Sequence, residues 1–185
     1  MIMDFDSFIT QLIEESKAFY ERAKKTSESI EKEAYLHSSL LLAMSSLEAC
    51  INAIVEEILI EPYRNHYDIL EQSLLLEKDI SFKNGRYQLG KGLKISRITE
   101  RIEFLIYKYS GKELSQDENW YVMLKQSIDF RNKLVHPKEY IKITEKQVEN
   151  AINAVLDTMN KLYLVIYKRK FPAYDMGITS KYDIS

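Results

Sequence analysis

One short segment combines side chains that could stabilise charge on a phosphate and move protons. Arg131 is followed after four residues by His136, and Pro137 comes next. A guanidinium offers a phosphate a planar fork of donors, and an imidazole acts as a general acid or base near neutral pH. RNA supplies its own nucleophile, the 2′-hydroxyl, so cleavage requires only proton transfer and charge stabilisation. The pair therefore points to chemistry on a phosphodiester.

The predicted helix that carries the pair has an apolar stripe. Arg131 lies on the same, core-facing side of that helix. The stripe consists of Trp120, Leu124, Ser127 with Ile128, and Leu134 with Val135. His136 precedes a proline, which biases it out of the α region and places it at the helix end. On an ideal helix Arg131 and His136 would point about 140° apart. Because His136 is not held in helical geometry and the Arg131 side chain is long, both side chains can reach the same phosphate.

Glu48 interrupts a second apolar stripe in the same way, on an earlier helix. The stripe consists of Leu41, Met44, Ile51, Val55 and Ile58. A guanidinium cannot be neutralised by deprotonation, and an unpaired buried charge is expensive. We therefore expect Glu48 to pair with or orient Arg131 across the bundle.

The other nucleophilic and metal-ligating residue types form no comparable pattern. His37 follows Glu33 by four residues but has no second ligand set, so we expect no metal site and no cofactor. His66 is expected on the surface. Cys50 is the single cysteine, which excludes an internal disulfide, and it is expected to be a core thiol.

The elements that must position these residues are helices. Of the 185 residues, 45% are hydrophobic. There are only five glycines and three prolines, and because hairpins and α/β loops need many of both, all-β and Rossmann-type folds are disfavoured. Apolar periodicity and capping signals predict helices over about 5 to 25, 28 to 60 up to Pro62, within 63 to 77, from Ser96 to Gly111, from a Ser115/Glu118 capping box, and from a Thr144/Gln147 capping box. The prediction is an all-α bundle of five or six helices: one domain over 1 to 170 and a C-terminal tail over 171 to 185.

Residues 78 to 95 interrupt the helical pattern. Asn84-Gly85 stands between two short alternating runs, which predicts a hairpin with a type I′ turn. From Lys78 to Arg97 there are six basic residues against one acid. The segment predicts contacts with RNA or a partner protein through Lys83, Arg86, Lys91 and Lys94. An RNA backbone clamp, a solvated loop and a surface for an acidic antitoxin remain equally open.

The segment Arg131-Asn132-Lys133-Leu134-Val135-His136-Pro137 resembles the Arg-x(4–6)-His motif of the HEPN superfamily, often written Arg-Asn-x-x-x-His-Pro. Residues 46 to 53, Ser-Leu-Glu-Ala-Cys-Ile-Asn-Ala, look like that family's earlier core helix. The resemblance implies a helical bundle that dimerises with its two motifs facing each other. It also implies metal-independent endoribonuclease activity, with Arg131 and His136 as the catalytic pair and Asn132 as a polar support.

The leading hypothesis is a cytoplasmic ribonuclease that acts as a homodimer on RNA. It would belong to a toxin–antitoxin or phage-defence system, in which an antitoxin protein is a candidate partner. The runner-up is a non-catalytic HEPN-like module that binds a nucleotide, a nucleic acid or a partner protein, and a helical scaffold is third. The net charge of −2 argues against a generally basic nucleic-acid binder. No signal peptide is visible, and acidic residues within Leu40 to Ile60 make that stretch a poor membrane span.

Overall fold

The computed structural model describes residues 5–60 and 63–182. This part of the chain is mostly helical and contains one two-stranded antiparallel sheet. Its elements are α1 Phe5–Lys25, α2 Ser29–Ile58, α3 Ile69–Leu76, β1 Lys78–Lys83, β2 Arg86–Leu93, α4 Ile98–Ser110, α5 Asn119–Val135 and α6 Glu145–Tyr167, with 3-10 turns at Tyr63–His66 and Tyr174–Met176. A largely helical bundle interrupted by a hairpin is therefore confirmed.

The core lies where α2 packs against α1 and α6. Cys50, Leu47 and Ile51 on α2 are fully buried, so Cys50 is the predicted core thiol. In the described part of the chain, α2 is also the one helix long and apolar enough to cross a membrane, with a mean hydropathy of 1.6 over its most apolar window. Since 56% of that window is buried inside the structure, α2 has the character of a core helix.

The second predicted helix ends two residues early, and the third lies within its predicted range. α2 stops at Ile58, and the predicted stop signal, Pro62, lies outside the described residues. The helix predicted within 63 to 77 is present as α3, and Asp68 caps its start. Its carboxylate accepts hydrogen bonds from the N–H groups of Leu70 and Glu71, both at 2.8 Å, and the Glu71 side chain accepts the N–H of Asp68 at 2.9 Å.

The predicted start of α5 is wrong. The helix begins at Asn119 with Glu118 at the N-cap, and the Ser115 hydroxyl accepts the N–H of Asp117 at 3.4 Å instead of capping a helix. The Thr144/Gln147 capping box at the start of α6 is confirmed, since each side chain accepts the other residue's N–H. Gly111 ends α4 with φ of 68°, as predicted for a C-terminal cap.

The predicted hairpin is also confirmed. Asn84 and Gly85 both have positive φ, at 52° and 77°, as a type I′ turn requires. In the ladder Phe82 lies opposite Tyr87, and the hairpin packs against α3. Asp79 accepts the N–H of Gly92 at 2.9 Å, so a side chain at position 92 would require the Asp79 carboxylate to shift.

Residues 171 to 182 have little regular structure, but they pack onto the bundle. Phe171 is buried, and the N–H of Lys181 donates to the carboxylate of Glu14 on α1 at 2.7 Å. That carboxylate also forms a fully buried ion pair with Lys17 at 2.8 Å. The C-terminal segment thus donates a further hydrogen bond to the buried Glu14 carboxylate, a charge that the sequence analysis did not identify.

Candidate active site and the adjacent groove

Arg131 lies in the last two turns of α5 and pairs with Glu48 of α2. Its Nη2 donates a hydrogen bond to Oε1 of Glu48, so the predicted ion pair across the bundle is present. Both side chains are more open than the sequence predicted: Arg131 is 26% exposed and Glu48 is 49% exposed. A groove separates α2, α4 and α5 at this level, which leaves the two charged groups at its surface. The guanidinium is therefore oriented by a carboxylate and still accessible.

His136 follows the last residue of α5 and has left helical geometry. Its φ and ψ are −123° and 63°, as predicted for a residue before proline. Its N–H donates to the carbonyl of Asn132 at 2.9 Å, and the side chain is exposed. The imidazole makes no hydrogen bond or ion pair among the described residues, so both ring nitrogens are free for proton transfer.

The chain that leaves His136 is anchored to α2. The hydroxyl of Tyr140 donates to both carboxylate oxygens of Glu33, at 3.0 and 3.1 Å. Pro137 restricts the backbone between these points. The position of His136 is consequently set from both sides, by the end of α5 and by the Tyr140 contact.

The groove beside Arg131 has a volume of about 840 Å³, within the usual range of ligand sites. Asn132 lines it, and so do the cations Arg97, Arg101, Lys125 and Arg131. Three carboxylates, those of Glu48, Glu77 and Asp129, face the same space. His136 is outside the lining, so the groove contains one of the two motif residues, Arg131, and not the other.

Arg101 is the residue of this region that the sequence analysis missed. It is 5% exposed, and its Nη2 donates to the side-chain oxygen of Asn52 at 2.8 Å. Its Nη1 lies 3.5 Å from Glu77, and its Nε makes no hydrogen bond within the described residues. Burial lowers the pKa of the guanidinium, and the carboxylates of Glu77 and Glu48 oppose that shift. The available signal was the one used for Arg131: an arginine beside an apolar stripe, here Ile98, Ile102 and Leu105.

The basic residues predicted to contact RNA or a partner lie elsewhere. Lys83, Arg86, Lys91 and Lys94 are all exposed on or next to the hairpin, and none of them lines the groove. The rings of Phe82 and Tyr87 are exposed beside Lys83 and Arg86, with centroids 5.2 Å apart. The hairpin tip therefore combines two aromatic rings with two cations.

Across residues 5–60 and 63–182, no three His, Cys, Asp or Glu side chains are placed to hold a metal ion. His37 has Glu33 as its acidic neighbour, at 3.8 Å from Nε2. No family model, curated protein or solved structure matches this chain. What the site does must therefore be inferred from its residues and their geometry.

Proposed function

We propose that the protein is a metal-independent endoribonuclease of HEPN type, with Arg131 and His136 as its catalytic pair. The observation that supports this most is the exposed end of α5, where an oriented guanidinium lies five residues from an imidazole that has no partner among residues 5–60 and 63–182. Arg131 would stabilise charge on the scissile phosphate, and His136 would transfer a proton to or from the reacting oxygens. Asn132, beside Arg131 on the groove, would support the phosphate.

The proposal includes a homodimer. Cleavage by the 2′-hydroxyl needs one group to take a proton and another to give one, and each chain has one histidine in this segment. A two-fold axis would bring a second His136 opposite the first. The exposed side chains of Val135, within the motif, and Tyr140, just after it, offer apolar surface for such an interface.

The hairpin is proposed to hold the RNA. Exposed aromatic rings stack on bases, and neighbouring cations contact the backbone. Phe82 and Tyr87 supply the rings, and Lys83 and Arg86 supply the charge beside them, with Lys91 and Lys94 further along. An acidic antitoxin is the alternative occupant of this surface. A cytoplasmic location and a role in toxin–antitoxin or phage defence belong to the same proposal.

Cleavage of cellular RNA in the presence of a chelator tests the proposal. We expect the wild-type chain to cut RNA, and Arg131→Ala and His136→Ala to lower the rate by at least about 100-fold, the usual contribution of a general acid or base. His66→Ala is the matched control, because His66 is exposed and remote from the motif in sequence. Cleavage that survives His136→Ala would rule out this site.

A non-catalytic binding module is the second candidate, and one observation favours it. The groove contains Arg131 but is not lined by His136, which is the arrangement expected if the arginine serves binding alone. The two candidates differ in one experiment: a folded dimer that binds RNA and cuts none of the RNAs offered would establish the binding module. Analytical ultracentrifugation, run on the same preparation, reports the oligomeric state.

A further inference from the structure

The groove between α2, α4 and α5 begins at the proposed catalytic arginine. Arg131 lines this groove and is also the proposed contact of the scissile phosphate. An RNA strand with a phosphate at Arg131 would therefore have a neighbouring nucleotide at the entrance of the groove. The volume of about 840 Å³ is larger than a phosphate needs and is sufficient for a nucleoside. The groove walls indicate which nucleoside would fit.

Part of the groove wall consists of large apolar side chains that are open to solvent. Leu93 at the end of β2 is 75% exposed, and Ile95 in the connection to α4 is 81% exposed. Ile128 of α5 lines the same groove. Ligand sites combine apolar surface of this kind with a few placed polar groups. The flat face of a nucleobase is a surface that such aliphatic side chains can cover.

Two of the three carboxylates in the groove already have partners. Glu48 accepts a hydrogen bond from Arg131, and the carboxylate of Glu77 lies 3.5 Å from Arg101. Asp129 is the third, and within residues 5–60 and 63–182 its carboxylate has no hydrogen bond and no ion pair. Its two oxygens are therefore acceptors available to a ligand.

The lysine one turn before Asp129 does not neutralise it. The Nζ of Lys125 donates to the side-chain oxygen of Gln116 at 2.9 Å and lies 4.8 Å from the ring centroid of Tyr121. Asp129 thus presents an unpaired negative charge to the same space that Ile95 and Ile128 line. A ligand that fits this part of the groove has an apolar face and hydrogen-bond donors at its edge.

We propose that the groove binds a guanine base of the RNA, with the carboxylate of Asp129 accepting hydrogen bonds from the N1–H and the N2 amino group. Guanine is the standard RNA base with two adjacent donors on its Watson–Crick edge, and two carboxylate oxygens match them. Unstacked RNA bases are commonly recognised through this edge. The position of the base next to the scissile phosphate rests on the proposed ribonuclease function.

The other three bases fit a carboxylate less well. Adenine and cytosine each present an amino group beside an acceptor nitrogen, and uracil presents one N–H between two carbonyl oxygens. A carboxylate that binds the donor of any of these bases also meets an acceptor, which repels it. Asp129 is accordingly the specificity-determining residue of the groove, and Arg131 is its link to the phosphate.

Calorimetric titration with guanosine 3′,5′-bisphosphate and inosine 3′,5′-bisphosphate tests the base contact. The two ligands differ only in the N2 amino group, and each has a phosphate on both sides of the sugar for Arg131 to contact. We expect the guanosine compound to bind at least about tenfold more tightly, because its amino group donates to a charged acceptor.

Asp129→Asn keeps the side-chain shape and replaces one acceptor by a donor. We expect this variant to bind the two ligands within about twofold of each other, since the amide cannot accept both guanine donors. Asp117→Asn is the matched control, the same change at an exposed acid outside the groove lining, and should keep the wild-type preference. The guanine site is overturned if wild-type chain binds both ligands equally, if neither binds at millimolar concentration, or if Asp129→Asn keeps the preference.

Mapping of cut sites in a random RNA pool separates this inference from the ribonuclease proposal. We expect the wild-type chain and Asp117→Asn to cut beside guanosine, and Asp129→Asn to cut without that preference. Cleavage that requires His136 and shows no base preference would refute the guanine site alone. Guanosine-selective binding that Asp129→Asn abolishes, in a chain that cuts no RNA, would support the guanine site and refute the ribonuclease.

Discussion

At the scale of single residues, the site depends on how two arginines share acidic partners. Arg131 is paired with Glu48 at a partly open surface, whereas Arg101 is buried against Asn52 and Glu77. Glu48 also favours the charged form of Arg101, so one carboxylate influences both guanidinium groups. Its replacement should therefore affect function more than stability.

Glu48→Gln removes that charge and keeps the side-chain volume. Because the ion pair is half exposed, we expect the free energy of unfolding to change by less than about 1 kcal/mol. Under the proposed ribonuclease function, a less well oriented Arg131 should slow RNA cleavage by roughly tenfold or more. Urea unfolding and single-turnover cleavage measure the two effects, with Glu56→Gln, an exposed acid further along α2, as the control. If stability and cleavage were both unchanged, Glu48 would have no orienting role.

At the scale of elements, local signals placed most helices and the hairpin correctly. The Asn84-Gly85 turn and the Thr144/Gln147 capping box form as predicted, because each depends on backbone preferences within about four residues. The Ser115/Glu118 box does not form, although its residue types are equally suitable. A turn over residues 115 to 118 takes its place, so residue types alone did not distinguish a cap from a turn.

The two capping signals make a matched pair of mutations. Thr144→Ala removes the acceptor for the N–H of Gln147 and should lower the free energy of unfolding by about 1 kcal/mol. Ser115→Ala removes a hydroxyl that caps no helix, so we expect a change within about 0.5 kcal/mol. Chemical denaturation followed by circular dichroism measures both. Equal effects of the two substitutions would contradict the assignment of the caps.

At the scale of the whole molecule, the C-terminal segment closes the bundle. Phe171 is 1% exposed, and the N–H of Ser180 donates to Glu21 of α1 at 3.0 Å. The nearby Glu14–Lys17 ion pair is fully buried, and the N–H of Lys181 adds a further donor to it. A segment that satisfies a buried charge contributes to the stability of the entire fold.

Phe171→Ala tests that contribution. Deletion of a fully buried aromatic side chain costs about 3–5 kcal/mol in free energy of unfolding. Phe82→Ala is the matched control, since Phe82 lies on the exposed hairpin and its loss should change stability by no more than about 0.5 kcal/mol. Thermal and urea denaturation measure both variants. A small effect at Phe171 would mean that residues 171 to 182 are dispensable for the bundle.

The sequence by itself determined the helical class, the hairpin turn, the Thr144 cap and the exit of His136 from its helix. Each of these follows from sterics or hydrogen bonding between near neighbours in the chain. It also suggested the pair of Glu48 with Arg131, because each charge interrupts an apolar stripe.

Only the tertiary structure decided how exposed that pair is, that Arg101 lies beside it, and that the C-terminal segment packs on α1. Arg101 meets Asn52 across 49 residues of chain, and Lys181 meets Glu14 across 167. Such contacts depend on how helices pack around a shared core, and a local pattern carries no information on which distant residue will face it.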